Sequence, residues 1–399
     1  MNGQKKTHVL LIYECFTASV RLCGYEQLNY LSKKRVICLQ HGPDSQITAK
    51  QCQWADILVF VRNATWLSYK IAKENQKRGK MILYVIDDDL LAVAPYSASA
   101  AYYSERFVRR RVWWFITNSS CLISPSRYIL HKYKKYARRI VRMEEPCMIT
   151  DALWANKDHR KIKIGFAGSS DRSLDVQNIL QKALEQFYFC HQDEIELEFM
   201  GVKFELPEQI HAVWYPFEED YTNYQRVFSK LNWDIGLAPM PDTKFHHAKH
   251  YNKYIEYASI GCVGIYSNVI PYQWIIRHQK NGILCENTLQ GWKDALEWCI
   301  AHPQLIAENR KRIQSDVQEK FSLEKITGRL LGQIPQLISY RARTGRLCSI
   351  RMYRNIGMCI RCIEFLQRYR RNALKKITEK IYEKIQHDKW FQKFCKRDE

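Results

Sequence analysis

The stretch of sequence that decides the fold runs from residue 233 to residue 272 and reads WDIGLAPMPDTKFHHAKHYNKYIEYASIGCVGIYSNVIPY. Two short apolar runs, at 235–237 and 263–266, enclose a helical pattern over 248–260. Strand, helix and strand in this order, with apolar residues throughout both strands, are typical of a parallel sheet covered on both faces. The stretch therefore predicts one βαβ unit of an α/β domain, with Gly261 ending its helix.

The same alternation of strands and helices extends in both directions from this unit. In the first 150 residues, apolar runs at 9–13, 35–40, 57–61, 81–86 and 121–124 alternate with helical patterns. From residue 161, runs at 161–167 and 196–200 and helices continuing to about residue 320 repeat the architecture. We predict two Rossmann-like, doubly wound α/β domains at 1–151 and 152–335, followed by a helical tail at 336–399.

Length and composition exclude several classes of protein. The chain has 399 residues, of which 46% are hydrophobic and 26% charged, values that argue against a disordered or fibrous protein. No apolar run reaches the length of a membrane span. Fourteen irregularly spaced cysteines predict reduced thiols in a cytoplasmic protein. Cys359 and Cys362 form a single CxxC pair, and without a second pair we expect no zinc site.

Basic residues are concentrated in the tail. The formal net charge is +21, and residues 341–399 hold 17 Lys and Arg against 6 Asp and Glu. Such a surface suits nucleic acid, an anionic membrane or phosphorylated substrates. Leu374, Ile377, Ile381 and Ile385 recur at helical spacing in this tail, which favours docking on an anionic membrane, with packing against the body as the alternative.

Lys249, Lys253 and Glu256 carry the first chemical signal. Their spacing places them on one face of the predicted 248–260 helix, at the carboxyl edge of the sheet where open α/β folds bind ligands. The first-turn amides and the lysines favour an anion such as phosphate, and the carboxylate suits sugar hydroxyls. The alternative is a solvated helix face with one Lys–Glu ion pair.

A glycine- and serine-rich turn carries the second signal. Gly168, Ser169 and Ser170 follow the predicted strand at 161–167, and Arg172 comes two residues later. Backbone N–H groups of such a turn approach a phosphate closely. The alternative is an ordinary tight turn between a strand and a helix.

The 233–272 stretch resembles the donor-binding region of GT-B fold glycosyltransferases of the "glycosyl transferases group 1" type. The pattern of that family is close to D-I-G-L-A-P-L-x-D-x-x-F-N-x-x-K-S-x-x-K-x-L-E-Y-A-x-x-G-x-P-G-I-Y-S. The matching residues are Asp234, Ile235, Gly236, Leu237, Ala238, Pro239, Asp242, Phe245, Lys249, Lys253, Glu256, Tyr257, Gly261, Gly264, Ile265, Tyr266 and Ser267. The resemblance is good over 160–325, weaker over the first 150 residues and absent from the tail.

The resemblance implies transfer of a sugar from a nucleotide-sugar to an acceptor hydroxyl across a cleft between the two domains. It assigns Lys249 to the diphosphate and Glu256 to the ribose, as the catalytic pair. The other donor-binding residues that it implies are Gly168, Ser169, Ser170, Arg172, Lys253, Tyr266 and Ser267. On the acceptor side it implies Glu14, Arg21 and Gly24, for which ordinary loop polarity is the alternative.

Several expectations about the reaction follow from the same resemblance. They are a reaction without a metal or a cofactor besides the nucleotide-sugar, retention of the anomeric configuration, and a glycan or lipid-linked acceptor. The implied role is assembly of a bacterial cell-surface polysaccharide or glycolipid. The implied location is the cytoplasm, peripheral on the inner face of the cell membrane, with residues 341–399 as the membrane contact.

The sequence departs from the family pattern at four positions. His246, His247 and His250 stand where the pattern has Asn, often Arg, and Ser, and Val263 replaces the usual Pro. His246 and His250 have the spacing of two metal ligands on a helix, but no third ligand is evident.

Other hypotheses stay open at this point. Three consecutive carboxylates at 87–89 suggest a metal-bound diphosphate, a helix cap, or acids that face the cleft. His41 follows the second predicted strand and carries the same ambiguity as the acceptor-side loop. A nucleic-acid-binding protein with a non-catalytic body, and a glycosyltransferase homologue without turnover, are the two alternative functions. We expect no nucleic-acid partner under the favoured hypothesis.

Overall fold

The computed structural model describes residues 6–149 and 161–342, together with residues 350, 353–357, 359–360 and 362–364. Contacts divide the chain into two compact units, Met1–Cys348 and Ser349–Glu399. The described residues of the second unit are helical. Most of the tail predicted at 336–399 lies outside the described residues.

Six parallel strands form the first sheet, in the spatial order β2-β1-β3-β4-β5-β6. They are β1 (Thr7–Tyr13), β2 (Ile37–Pro43), β3 (Ile57–Val61), β4 (Met81–Val85), β5 (Cys121–Ser124) and β6 (Ile140–Arg142). Strands β3, β4 and β5 are buried at every position, which explains why their sequences are apolar throughout instead of alternating. We call this sheet and its helices, residues 6–142, the first lobe.

Six further parallel strands form the second sheet, in the order β12-β11-β10-β7-β8-β9. They are β7 (Ile162–Ala167), β8 (Ile195–Met200), β9 (Ala212–Tyr215), β10 (Ile235–Ala238), β11 (Val263–Ser267) and β12 (Ile283–Cys285). Gly165 lets β7 pack against Trp233, because a Cβ at this position would lie 2.1 Å from the indole ring. Residues 161–320 around this sheet are the second lobe.

Helices cover both sheets. In the first lobe they are α1 (Ala18–Val20), α2 (Glu26–Lys33), α3 (Ala49–Trp54), α4 (Trp66–Lys77), α5 (Ala100–Ser104), α6 (Arg106–Asn118) and α7 (Arg127–Tyr133). In the second lobe they are α8 (Ser173–Ile179), α9 (Gln181–His191), α10 (Tyr221–Phe228), α11 (Lys244–His247), α12 (Asn252–Ser259), α13 (Leu289–Ala301) and α14 (Pro303–Lys320). Hydroxyl side chains cap several of them; Thr65 accepts from the Ser68 N–H at 3.0 Å, and Thr288 accepts from the Gly291 N–H at 3.0 Å.

Two last helices bring the chain back to the first lobe. Helix α15 (Leu323–Gln333) packs against α2 and β6, and α16 (Gln336–Ser339) packs against β1. The predicted boundary at 151/152 lies outside the described residues, and the one at 335/336 falls between α15 and α16. Both boundaries stay predictions.

The predicted fold class is confirmed: the chain forms two parallel, Rossmann-like sheets with flanking helices, arranged as a GT-B fold. The predicted helix at 248–260 is wrong at its start. Instead, α11 ends at His247 and α12 begins at Asn252, with Lys249 in the segment between them. The one-face spacing of Lys249, Lys253 and Glu256 therefore does not hold. Its cause is a tertiary contact, since His250 in the same segment is buried against Glu144 at 2.9 Å.

Candidate functional site

In each sheet there is one pair of neighbouring strands from which the chain continues toward opposite edges of the sheet. In the first lobe this pair is β1 and β3, and in the second lobe it is β7 and β10. The carboxyl ends of the strands of such a pair form a crevice, because the loops that follow them turn to opposite faces of the sheet. The fold thus predicts a site from the residues that follow β1, β3, β7 and β10.

A cleft of about 640 Å³ lies at these strand ends and is lined by both lobes. The first lobe contributes residues 16–19, which follow β1. The second lobe contributes Gly168 and Ser169 after β7, Lys253 and Glu256 from α12, and side chains before and within α10. Four of the predicted donor-site residues therefore line one cavity.

Two glycines bring backbone groups together at the floor of this cleft. Gly201 has φ +75°, and a Cβ there would lie 2.2 Å from the carbonyl oxygen of Gly168. The Gly168 N–H donates to the Met200 carbonyl at 3.0 Å. The loops after β7 and β8 can approach this closely only because position 201 has no side chain.

Lys253 and Glu256 form an ion pair on α12. Both side chains are mostly buried, with 21% and 15% of their surfaces exposed. Tyr224 also lines the cleft, and burial raises the pKa of its hydroxyl well above the ordinary value, with the charge of Glu256 adding to the rise. The carboxylate is thus held in place at the wall of the cleft.

A second cavity of about 260 Å³ adjoins the first, since Ser169 lines both. Here the two lobes are joined by an ion pair between the Lys249 Nζ and Asp88 Oδ1 at 2.9 Å. Arg62, which follows β3, lies 3.4 Å from Asp88 and 3.1 Å from Asp87. Burial raises the pKa of Asp88, but Lys249 and Arg62 outweigh it and bring the pKa to about 2.

Arg62 has a strained backbone, with φ 59° in a non-glycine residue. Its side chain also donates to the Ser19 hydroxyl at 3.0 Å. Left-handed conformations of this kind persist where surrounding contacts fix them, often at functional sites. The prediction that the acids at 87–89 face the cleft agrees with the position of Asp88, while Asp89 is buried and pairs with Lys132.

Arg172 links the turn after β7 to the end of β10. Its guanidinium donates to the Pro239 carbonyl at 2.6 Å and lies 2.9 Å from Asp175. Ser170 is exposed at the start of the turn Ser170–Arg172 and does not line either cavity. Arg172 lines the smaller cavity beside Lys249.

Two predicted donor-site residues lie away from the cleft. The Tyr266 side chain is 1% exposed, and its ring lies 4.9 Å from that of Tyr272 in the core. The Ser267 hydroxyl accepts from the Met240 N–H at 2.8 Å and donates to Asn287 at 2.6 Å, which ties β11 to the loop after β10. Both side chains therefore have structural contacts near the strand ends and do not line the cleft.

The predicted acceptor-side residues lie near the cleft but have structural contacts. Glu14 accepts from the N–H groups of Ala64 and Thr65 at 2.6 and 3.1 Å. Gly24 is buried, and a Cβ there would lie 2.9 Å from Val61.

Arg21 pairs with Glu26 at 2.6 Å and crosses to the second lobe, donating to the Thr222 hydroxyl at 2.6 Å. Its guanidinium also lies 5.6 Å from the Tyr221 ring centroid. None of these three predicted residues lines either cavity.

The histidines that replace the family pattern have other partners. His246 accepts or donates at Thr243 (2.8 Å) and at the Tyr96 hydroxyl (3.2 Å), and His247 pairs with Asp242. The part of the chain that the structure describes contains no group of three side chains able to hold a metal ion. His41 lies 3.1 Å from the Tyr13 hydroxyl beside β1.

Beneath the cleft, a buried cluster joins the lobes. His250 pairs with Glu144 at 2.9 Å, and the neighbouring Glu145 accepts from the Cys23 thiol at 3.2 Å and from Asn252 of α12. Burial lowers the pKa of His250, but its two carboxylate partners outweigh this and raise it.

The two carboxylates of this cluster shift in opposite directions. Burial raises the pKa of Glu145 to about 7. Burial also raises that of Glu144, but hydrogen bonds from His250 and Tyr251 and the charge of Arg142 outweigh it, so the pKa falls. Through Asn252, this cluster ties the first residue of α12 to the segment after β6.

Sequence reasoning missed Arg62, Tyr224, Glu144 and Glu145. One signal was available for Arg62, because a lone cation directly follows the apolar run at 57–61 and so lies at the carboxyl edge of the sheet. The adjacent acids at 144 and 145 gave no signal, since His250, Cys23 and Asn252, which they contact, lie more than a hundred residues away in the chain.

Comparisons with known proteins support the fold. No protein-family model and no curated protein matches the chain. Among solved structures, HepE from Anabaena in complex with UDP is 13% identical with a TM-score of 0.58, and the match covers 83% of this chain and 100% of that chain. A glycosyltransferase from Rickettsia africae is 14% identical with a TM-score of 0.57, covering 84% and 99%. The lipopolysaccharide outer core galactosyltransferase WaaB is 13% identical with a TM-score of 0.52, covering 83% and 99%.

These similarities define the class of fold. The chain has the two-domain GT-B architecture of solved glycosyltransferase structures, over nearly the full length of each. No described helix is both long and apolar enough to cross a membrane. The twelve cysteines within the described residues are all free thiols.

Proposed function

We propose that this protein is a glycosyltransferase that moves a sugar from a nucleotide-sugar to an acceptor hydroxyl. The observation that carries the proposal is the cleft at both topological switch points, which places Gly168, Ser169, Lys253 and Glu256 around one cavity. HepE, whose structure is similar, was solved with UDP. That structure supports a nucleotide-sugar as the partner of this cleft.

In the proposed reaction the leaving nucleoside diphosphate gains negative charge as the glycosidic bond breaks. Lys249 supplies a positive charge in the smaller cavity, and the backbone amides after β7 add hydrogen-bond donors. Cations placed beside the leaving group stabilise the transition state more than the ground state. Charge stabilisation in this proposal comes from the chain itself, without a metal ion.

Glu256 takes the ribose in this proposal. Its carboxylate lines the cleft and pairs with Lys253, and a carboxylate accepts hydrogen bonds from hydroxyl groups. In the protein without ligand, Asp88 of the first lobe neutralises Lys249. The diphosphate therefore competes with Asp88 for the lysine, which makes donor binding sensitive to the relation between the lobes.

The finer parts of the proposal follow the family resemblance. They are retention at the anomeric carbon, an acceptor held by the loop after β1, and assembly of a bacterial cell-surface polysaccharide or glycolipid. WaaB, a lipopolysaccharide outer core galactosyltransferase of similar structure, supports this last assignment. A cytoplasmic location with residues 341–399 on the inner face of the membrane is part of the same proposal; residues 343–349 and 365–399 lie outside the described residues.

The test is a screen by thermal shift and calorimetry over UDP, GDP, TDP and ADP and their sugars, followed by turnover assays. We expect one nucleotide class to stabilise the protein. Lys249→Ala should then lose most turnover, and Glu256→Ala should mainly raise the Kd of the nucleotide.

Lys230→Ala, at an exposed lysine of the second lobe, is the matched control and should keep both properties. If none of these nucleotides binds, the proposal fails. If they bind but no donor supports transfer, the chain is a binding homologue without turnover.

A further inference from the structure

One segment of the first lobe contains many basic residues and no acidic ones. Residues 106–142 contain 11 Lys and Arg and no Asp or Glu, whereas residues 6–105 contain 12 and 9. Some of these cations have structural roles. Lys132 pairs with the buried Asp89, and Arg142 pairs with Glu144. Arg109, Arg111 and Arg139 donate to backbone carbonyls, and Arg127 lies over the Trp274 ring.

Helix α6 presents one part of this surface. Arg106, Arg110 and Trp113 lie at i, i+4 and i+7 and so share one face of the helix, and all three are exposed. The Trp113 side chain is 39% exposed, a large fraction for an indole. Opposite helix positions such as Val108 and Val112 are buried in the core.

The segment between α7 and β6 lies beside that helix face. The ring of Tyr136 is 5.0 Å from that of Trp113, so the two elements form one surface. Lys134, Lys135 and Arg138 of this segment are exposed, and the Tyr136 side chain is 54% exposed. We call Arg106, Arg110, Trp113, Lys134, Lys135, Tyr136 and Arg138 the basic aromatic face.

The basic aromatic face has no partner in the described chain that explains its charge. None of its five cations forms an ion pair among the described residues. None of its residues lines either of the two cavities of the candidate site. A ligand on this face therefore leaves the cleft open.

We propose that the basic aromatic face docks on an anionic lipid surface. Lys and Arg near such a surface are attracted to its headgroups, and exposed Trp and Tyr rings are stabilised at the boundary between headgroups and acyl chains. Ile140, two residues after Arg138 in the chain, is 38% exposed and adds apolar surface that a lipid can cover. A nucleic acid would use the cations but gain nothing from an exposed aliphatic side chain, so lipid fits the face better.

The proposal is tested by vesicle flotation of the full chain. Vesicles contain phosphatidylcholine alone, or phosphatidylcholine mixed with anionic phosphatidylglycerol. The test variant carries Arg110→Gln, Lys134→Gln and Lys135→Gln. The control carries Lys33→Gln, Lys34→Gln and Lys50→Gln, exposed lysines next to β2 at the other edge of the same sheet.

Both triple variants have the same net charge and keep the basic tail, so the tail contributes equally to each. Because each basic residue near an anionic surface contributes about 1 kcal/mol, the test variant should bind anionic vesicles at least about tenfold more weakly, and the control within about twofold of wild type. Thermal melts with and without UDP report folding and donor binding separately, so failure of the proposed function does not affect this outcome.

Equal binding of anionic vesicles by the two triple variants would overturn the proposal. Equal binding of wild type to vesicles with and without phosphatidylglycerol would do the same. Loss of RNA binding in the test variant, without loss of vesicle binding, would assign the face to nucleic acid instead.

Discussion

The buried carboxyl of Glu145 gives a prediction whose sign and size both follow from the structure. The side chain is 3% exposed and accepts from Cys23 and Asn252, and its pKa is raised from 4.5 to about 7 by burial. Asp87 adds to the rise, while His250 opposes it. We expect Glu145→Gln, which removes the charge and keeps the shape, to change how stability depends on pH.

The sign follows from proton counting. Between pH 4.5 and 7 the carboxyl of Glu145 loses its proton in the unfolded chain but keeps it in the native state. Stability from this group is complete below the unfolded pKa and is lost as pH rises through the native pKa. At 1.36 kcal/mol per tenfold difference in proton affinity, the loss between pH 5 and pH 8 is about 2–3 kcal/mol. Glu145→Gln does not suffer this loss.

The assay is urea unfolding at a series of pH values from 5 to 8, followed by tryptophan fluorescence. The free energy of unfolding of Glu145→Gln minus that of wild type should rise by about 2–3 kcal/mol across this range. Any constant cost of the amide at position 145 cancels in this change.

Glu144→Gln is the matched control. The pKa of Glu144 is lowered, so this carboxylate contributes stability that is present above its unfolded pKa of 4.5 and is lost only as pH falls through its native pKa, below the assayed range. The same difference for Glu144→Gln should therefore stay nearly constant from pH 5 to 8. A difference for Glu145→Gln that does not vary with pH would show that the carboxyl is ionised in the native state and refute the reasoning.

Two further predictions concern the cleft. Asp88→Asn removes the 2.9 Å ion pair with Lys249, so we expect the Kd of the nucleoside diphosphate to fall several-fold. Calorimetry measures this Kd, and weaker binding would show that Asp88 does not compete for the lysine. Gly201→Ala should cost about 2–4 kcal/mol of stability, because the added Cβ would lie 2.2 Å from the Gly168 carbonyl oxygen at a φ of +75°. Gly79→Ala is the control, at the same φ but with nothing within 4 Å of the added Cβ, and it should cost only about 1 kcal/mol of stability. Equal losses of stability in the two variants would mean that the loop after β7 moves to accommodate the Cβ at little cost.

The fold could be predicted from the sequence because the buried strands have a recognisable residue pattern. β3, β4 and β5 are apolar at nearly every position, and this pattern requires cover on both faces. The strands β6, β9 and β12 were missed because they are short and partly exposed, so neighbouring strands define them more than their own residues do.

Only part of the candidate site could be predicted from the sequence, because some of its residues are positioned by distant contacts. Residues that follow predicted strands, such as Gly168 and Ser169, line the cleft as expected. The position of Lys249 depends instead on Asp88 of the first lobe, which pairs with Lys249, and on Glu144 after β6, which pairs with the neighbouring His250. Contacts over such distances along the chain leave no pattern in one sequence.

The return of the chain to its starting lobe has a consequence for how the molecule is made. Besides the packing of α15 and α16, the Tyr340 hydroxyl donates to the Gly79 carbonyl at 2.6 Å, and the Ala342 N–H donates to Asp56 at 3.1 Å. During synthesis the strands of the first sheet leave the ribosome well before α15 and α16, the last helices that pack on this sheet. A single cut between the lobes would leave the first lobe without α15 and α16, whereas truncation after residue 342 keeps both helices and both hydrogen bonds.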